Sequence, residues 1–94
     1  MTISYDPAKN RTNIAKRGLS FDRVAEIDFT ASVHGVDDRR DYGEIRQIIV
    51  GHLDGRLHIV CYTWRDIDVM HVISFRKANA KEARKYGKPQ TVDE

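Results

Sequence analysis

Three polar side chains in this sequence have the chemistry needed to move a proton and to bind a phosphate group. Glu44 precedes a predicted strand, and a carboxylate held near an arginine and a histidine is a workable acid and base set for cleaving RNA. His71 lies inside another predicted strand among apolar neighbours, where it is either a structural histidine or a proton-transfer group. Arg65 follows Trp64 at a strand end, where its guanidinium can present paired N–H donors to a phosphate.

Other side chains could bind RNA or a metal. Tyr62 and Trp64 are two residues apart and are expected on one face of a strand, where their rings could stack on bases or simply pack in the core and its rim. The loop of residues 37–44 holds many charges of both signs, and ion pairing within the loop is the simpler explanation. His52 and His58 flank a predicted turn, but without a nearby carboxylate or thiolate they make a poor metal site. We therefore expect neither a metal nor a cofactor.

Charge is unevenly distributed along the chain. The net charge of the 94 residues is only +2. Residues 1–23 hold five basic and two acidic side chains, residues 76–88 hold six and one, and the segment between them is acidic. The two basic segments are either ordinary solvated surface or a face that attracts phosphates or an acidic partner.

Capping and turn residues predict where the helices and strands that position these groups begin and end. Asp6-Pro7 begins a helix that Gly18 ends, and Ser20 begins a second helix that runs to about residue 28. Asp54-Gly55 predicts a type I′ hairpin turn. A capping box formed by Asn79 and Glu82 begins the final helix. The predicted strands cover residues 2–4, 33–37, 45–53, 56–64 and 68–76, and the final helix covers residues 80–86.

The resulting order, β-α-α-β-β-β-β-α, predicts an α+β domain with two N-terminal helices and one C-terminal helix grouped on one face of an antiparallel sheet. One domain is expected over residues 1–88, followed by a flexible tail at 89–94. Strict alternation predicts two faces for the last strand. One face carries Met70, Val72, Ser74 and Arg76, and the other carries Val69, His71, Ile73 and Phe75.

A single cysteine, Cys61, cannot form an internal disulfide, which favours a reducing compartment. The sequence has neither a signal-peptide pattern nor a stretch of about twenty apolar residues. We therefore expect a cytoplasmic protein without a membrane segment.

Six short elements, in order along nearly the whole chain, resemble the BrnT family of type II toxins. They are Tyr5-Asp6-Pro7-Ala8-Lys9-Asn10, Arg17-Gly18-Leu19-Ser20-Phe21, Asp41-Tyr42-Gly43-Glu44-x-Arg46, Asp54-Gly55-Arg56, Tyr62-Thr63-x-Arg65 and Ile73-Ser74-x-Arg76-Lys77-Ala78. The resemblance implies a RelE-like fold and a ribonuclease that blocks translation. It also implies a BrnA-like, DNA-binding antitoxin that joins the toxin in a hetero-oligomer and through which alone the toxin reaches operator DNA.

The resemblance also suggests roles for particular residues. Arg65 and Arg76 are expected to bind the scissile phosphate and stabilise its developing charge, with Glu44 and His71 as the other catalytic candidates. The expected RNA-binding residues are Lys77, Trp64, Tyr62, Arg46 and Arg84. At the position of His71 the family usually has a basic residue, often arginine, and Phe75 replaces a usual small residue.

Cleavage without a metal needs a base for the 2′-hydroxyl proton, a positive charge near phosphorus and a proton donor for the 5′-oxygen. Glu44 or His71 suits the first task, whereas the third stays open between His71, Lys77 and a tyrosine. A non-catalytic module that regulates transcription with a DNA-binding partner is the alternative function, since it would use the same basic surface.

Overall fold

A five-stranded sheet with helices on both faces forms the framework of the protein, and the computed structural model describes residues 1–92. The strand order across the sheet is β1-β5-β4-β3-β2. The strands are β1 Thr2–Tyr5, β2 Val33–Asp37, β3 Arg46–Leu53, β4 Arg56–Asp66 and β5 Val69–Lys77. The helices are α1 Pro7–Arg17 and α2 Ala80–Tyr86, with 3₁₀ segments at Phe21–Glu26 and Phe29–Ala31.

The expected α+β class is confirmed, but the sheet is not fully antiparallel and the second predicted α-helix does not form. The sheet is mixed, because β1 runs parallel to β5, while the other neighbouring strands are antiparallel. The second predicted α-helix consists of 3₁₀ segments instead. Its buried residues Phe21, Val24 and Ile27 are each three positions apart, a spacing that places them on one side of a helix with three residues per turn.

The helices are divided between the two faces of the sheet rather than grouped on one. The first 3₁₀ segment contributes Phe21 and Val24 to a core cluster with Ile49 and Val60 of the sheet. Ala83 of α2 belongs to a second cluster, whose members include the alternate strand residues Val50, Leu57 and Ile59. We call the first side the α1 face, after the helix that directly precedes its 3₁₀ cover, and the second the α2 face. The alternation of apolar residues on both sides of β3 and β4 is what requires a cover on each face.

A β-bulge in β5 overturns the strict alternation expected for that strand. Ser74 pairs with Cys61 and Val72 pairs with Tyr62, so that Ile73 has no partner of its own. Because the extra residue shifts the side-chain alternation by one, Phe75 joins Met70 and Val72 in the core of the α1 face. Arg76, paired with Ile59, therefore lies on the α2 face, the same face as His71.

The predicted hairpin turn and helix caps are confirmed. The Asp54-Gly55 turn has φ values of 52° and 73°, the positive pair that a type I′ turn requires. The Asp6 carboxylate accepts a hydrogen bond from the N–H of Ala8, and α1 ends at Gly18 with a φ of 65°. The reciprocal capping box of α2 is present.

Backbone hydrogen bonds attach part of the C-terminal segment to the hairpin. The N–H of Leu57 donates to the Gln90 carbonyl at 2.8 Å, and the N–H of Val92 donates to the Gly55 carbonyl at 2.7 Å. Residues 93–94, also part of the expected tail, lie outside the described residues. Within residues 1–92, none of the helices is long and apolar enough to cross a membrane.

A charge-assisted pair fastens α2 to the sheet. The two terminal nitrogens of Arg76 donate to the two carboxylate oxygens of Glu82 at 2.8 and 2.7 Å. The same carboxylate accepts a hydrogen bond from the Asn79 N–H at the start of α2. These contacts lower the pKa of Glu82 to about 2, with the hydrogen bond from Arg76 as the largest cause.

We predict that Glu82→Gln lowers the free energy of unfolding by about 1 kcal/mol at pH 7, since the pair is partly exposed and glutamine keeps the capping bond. A carboxyl whose pKa is lower in the folded state stabilises the fold above its unfolded pKa and loses this effect as pH falls through its folded pKa. The difference from the unmodified chain should therefore shrink between about pH 5 and 2. Urea denaturation measures it, with Asp38→Asn as the control; a difference independent of pH would contradict the prediction.

Candidate active site

His71 on β5 is oriented by the parallel pairing of β1. Ser4 is its register partner on β1, and the Ser4 Oγ atom lies 2.9 Å from His71 Nδ1, within hydrogen-bond distance. On the other side, His71 pairs with Thr63 of β4, whose hydroxyl donates to the Ile45 carbonyl. Among residues 1–92 the Nε2 atom of His71 has no hydrogen-bond partner. The half-buried ring is therefore held at one nitrogen and free at the other.

Arg65 and Glu44 lie close enough to His71 for their charges to act on it. Burial lowers the pKa of His71, the positive charge of Arg65 lowers it further, and the negative charge of Glu44 raises it. Arg65 is exposed at a second irregularity of the β4–β5 pairing, between Trp64 and Asp66. The charges of two other predicted catalytic residues thus act on His71, as do those of Lys9 and Asp6, and the net effect favours the neutral imidazole.

The loop before β3 positions Glu44 through a chain of polar contacts. The Nε atom of Arg46 donates to Glu44 Oε1 at 3.4 Å, and its guanidinium lies 3.9 Å from the centre of the Tyr42 ring. The Tyr42 hydroxyl in turn donates to an oxygen of Asp37 at 3.1 Å. Arg46, predicted to bind RNA, therefore lies beside the candidate catalytic carboxylate.

Asp37 anchors this loop and is a residue that the sequence analysis did not single out. Its buried carboxylate accepts two hydrogen bonds from the Arg39 guanidinium, both at 2.8 Å. The bonds from Arg39 hold the pKa of Asp37 far below its usual range. Cys61 lies against the same carboxylate, and burial raises the pKa of its thiol. The density of charge in residues 37–44 was the available signal, but it did not show which carboxylate would be buried.

Arg76, the fourth predicted catalytic residue, is separated from the other three. It lies five residues along β5 from His71, about 16 Å at the usual rise of a strand, and its guanidinium is engaged by Glu82. Lys77, which the resemblance pairs with Arg76, lies on the α1 face opposite His58. Adjacent residues of a strand point to opposite faces, so Arg76 and Lys77 leave β5 in opposite directions.

The predicted aromatic platform forms only in part. Tyr62 and Trp64 share a face, with their ring centres 5.6 Å apart and edge to face. Tyr62 is buried and donates its hydroxyl to Gln47, so its ring packs in the core, which is the alternative to stacking on RNA. Trp64 is 43% exposed but lies on the α1 face, away from His71. Arg84 is exposed on α2.

The two histidines beside the hairpin do not meet. His52 donates its Nε2 proton to the Pro89 carbonyl, whereas His58 donates its Nδ1 proton to the Arg56 carbonyl. His52 pairs with Leu57 across β3 and β4, and paired residues share a face of the sheet. His58 follows Leu57 directly on β4, so its ring lies on the opposite face from that of His52.

Comparisons of the sequence and of the structure with known proteins both indicate one family. The model of a family described as "Ribonuclease toxin, BrnT, of type II toxin-antitoxin system" matches residues 5–82. The crystal structure of the Brucella abortus ribonuclease toxin BrnT at 1.1 Å is similar, with a TM-score of 0.65 and 30% sequence identity. The similarity covers 84% of this chain and 97% of that one. None of the curated proteins matches the chain.

The electrostatic coupling within the site can be measured directly. We predict that Arg65→Ala raises the pKa of His71, because it removes a positive charge, and that Glu44→Gln lowers it, because it removes a negative one. NMR titration of the His71 ring reports both changes. Arg11→Ala is the control, because it removes an exposed arginine of α1 that does not act on His71, and it should leave the pKa of His71 unchanged. An unchanged pKa of His71 in both variants would mean that the three side chains do not form one site.

Proposed function

The chain belongs to the BrnT family of ribonuclease toxins of type II toxin–antitoxin systems, and we propose from this premise that it cleaves RNA at the site formed by Glu44, Arg65 and His71. One observation carries the choice of site. His71 is a half-buried imidazole with one nitrogen held, one nitrogen free and a lowered pKa, beside an exposed arginine. This arrangement supplies a base and a phosphate-binding cation without any metal.

The proposed reaction is attack by the ribose 2′-oxygen on the adjacent phosphorus. His71 Nε2 takes the proton of the 2′-hydroxyl as the new O–P bond forms, and the bond from phosphorus to the 5′-oxygen breaks. Arg65 stabilises the negative charge that grows on the phosphoryl oxygens. The imidazolium then gives its proton to the leaving 5′-oxygen, which leaves a 2′,3′-cyclic phosphate and a 5′-hydroxyl. One residue thus serves both proton transfers, and the atoms and charges balance.

Glu44 has a supporting part in this proposal. Its negative charge raises the pKa of His71 and so favours the imidazolium that forms during the reaction. Its contact with Arg46 links it to the Tyr42 ring and through that ring to the buried Asp37. The loop of residues 37–44 thereby fixes the carboxylate at the edge of the site.

The biological setting is also a proposal. The family implies an antitoxin partner and an RNA substrate. We propose that the antitoxin is a BrnA-like DNA-binding protein, that the two form a hetero-oligomer, and that cleavage inhibits translation in the cytoplasm. The RelE-like character of the fold is likewise a prediction from the resemblance. Clusters of positive charge at both ends of the chain support an RNA substrate.

We predict that the antitoxin-free protein cuts single-stranded RNA in EDTA and leaves 2′,3′-cyclic phosphate ends. Arg65→Ala and His71→Ala should each lower the cleavage rate at least about a hundredfold, because they remove charge stabilisation and the base. The rate should rise with pH through the pKa of His71 and then level off, since only the neutral imidazole accepts the proton. Gel analysis of end-labelled fragments gives both the rates and the chemistry of the ends.

Arg11→Ala is the matched control, because Arg11 is an exposed arginine on α1, and it should cut RNA at the unmodified rate. Full activity of both site variants would exclude the proposed site. Loss of cleavage on addition of EDTA would exclude the metal-independent mechanism. A folded protein that cuts no RNA, even with ribosomes present, would favour the non-catalytic module instead.

A further inference from the structure

A basic cleft lies at the far end of the sheet from His71, between the end of α1, the β3–β4 hairpin and the end of β5. Its volume is about 700 Å³, within the range of small-molecule and nucleotide sites. The lining includes six cationic side chains: Lys16, Arg17, Arg23, Arg56, Arg76 and Lys77. The one acidic lining residue, Asp54, accepts a hydrogen bond from Arg23 at 2.7 Å, so its negative charge is paired.

Four of these cations have no carboxylate partner among residues 1–92. Arg23 and Arg76 are paired with acidic residues, whereas Lys16, Arg17, Arg56 and Lys77 are not. The four come from three distant parts of the chain, so the fold and not a local run of basic residues places them together. Like charges repel across such a cleft, and a bound anion relieves that repulsion.

Arg56 has an unmet donor at the cleft. One terminal nitrogen of its guanidinium donates to the Ala78 carbonyl at 3.2 Å. Its Nε atom is buried and has no partner within residues 1–92. A buried donor without a partner is costly. Arg56 lines the cleft and is only partly buried, so its guanidinium as a whole still offers donors to an anion there.

His58 adds an acceptor to this cationic lining. Its Nδ1 donates to the Arg56 carbonyl at 2.7 Å, and its Nε2 has no hydrogen-bond partner in the described part of the chain. Burial lowers the pKa of His58, and the charges of Lys77 and Arg56 lower it further, so the ring is neutral and Nε2 accepts. A phosphodiester has no proton to donate to this nitrogen, but a ribose hydroxyl has one.

We propose that this cleft binds one ribonucleotide of the RNA substrate, away from the scissile bond. Lys16, Arg56 and Lys77 hold its phosphate, and His58 Nε2 accepts a hydrogen bond from its 2′-hydroxyl. The proposal rests on the proposed ribonuclease function and extends it to a substrate subsite. Lys77 is six residues from His71 along β5, about 20 Å, so the two regions contact different nucleotides.

An acidic peptide of a protein partner fits the cleft less well. Peptides that add to a sheet need an unpaired strand edge, and the edge strands here are β1 and β2. The strand residues that line the cleft come from β3, β4 and β5, and β1 leaves one side of β5 unpaired beyond Val72. At Phe75 that side is occupied by α1, because the Asn13 side chain donates to the Phe75 carbonyl at 3.0 Å. Carboxylates also offer no hydroxyl donor for His58.

The test measures binding separately from cleavage. The full chain carrying His71→Ala is titrated against labelled single-stranded RNA and against DNA of the same sequence, with fluorescence anisotropy as the readout. Adding Lys16→Gln and Lys77→Gln should weaken RNA binding about tenfold and reduce the slope of log K against log salt by about 1.4, the value for two lost single-strand phosphate contacts. The matched control, Lys81→Gln with Lys85→Gln on α2, removes the same charge and should change binding much less.

His58→Leu should remove the preference for RNA over DNA and leave DNA binding unchanged. If this variant does not fold, the lysine pair alone decides the question. Equal weakening by the two lysine pairs, or displacement of RNA by polyglutamate together with equal affinity for RNA and DNA, would overturn the proposal. If the unmodified chain cuts no RNA but the lysine pair in the cleft is still needed for RNA binding, the cleft is supported and the nuclease is rejected. Failure of the cleft proposal and failure of the nuclease proposal are therefore distinguishable.

Discussion

The pairing of β4 with β5, and the single bulge within it, determines where every important side chain of β5 points. Without the extra residue at Ile73, Phe75 would leave the core for the α2 face, and Arg76 would turn away from Glu82. The bulge therefore satisfies two demands together. It keeps a large aromatic ring in the core of the α1 face, and it lets β5 deliver an arginine to the helix that covers the opposite face.

Local features of the fold were predictable from the sequence, whereas features that depend on distant pairing were not. The caps at Asp6 and Asn79 and the turn at Asp54-Gly55 depend on a few adjacent residues, so the residue types alone predict them. The parallel pairing of β1 with β5 joins segments that are distant in the sequence, and no residue near either segment indicates it. The bulge likewise arises from a competition between core packing and strand register, which composition does not reveal.

The same distinction between local and long-range features applies to the candidate site. The sequence identified Glu44, Arg65 and His71 by residue type and resemblance, and the structure brings their charges together. It could not show that Arg76 lies at the other end of β5, because distance along a strand and bulge position are needed for that. Nor could it show that basic residues from both ends of the chain meet beside the hairpin. The uneven distribution of charge along the sequence therefore predicted that a basic surface exists, but not where on the fold it lies.

The attachment of the C-terminal segment to the hairpin has a practical consequence. Gln90 and Val92 hydrogen-bond to the backbone on either side of Arg56, next to the basic cleft. These bonds occupy the Leu57 N–H and the Gly55 carbonyl, so neither group is available to pair with a strand of another molecule. A variant shortened to Lys88 would free both groups beside the cleft, so chains used to study the cleft should keep residues 89–92.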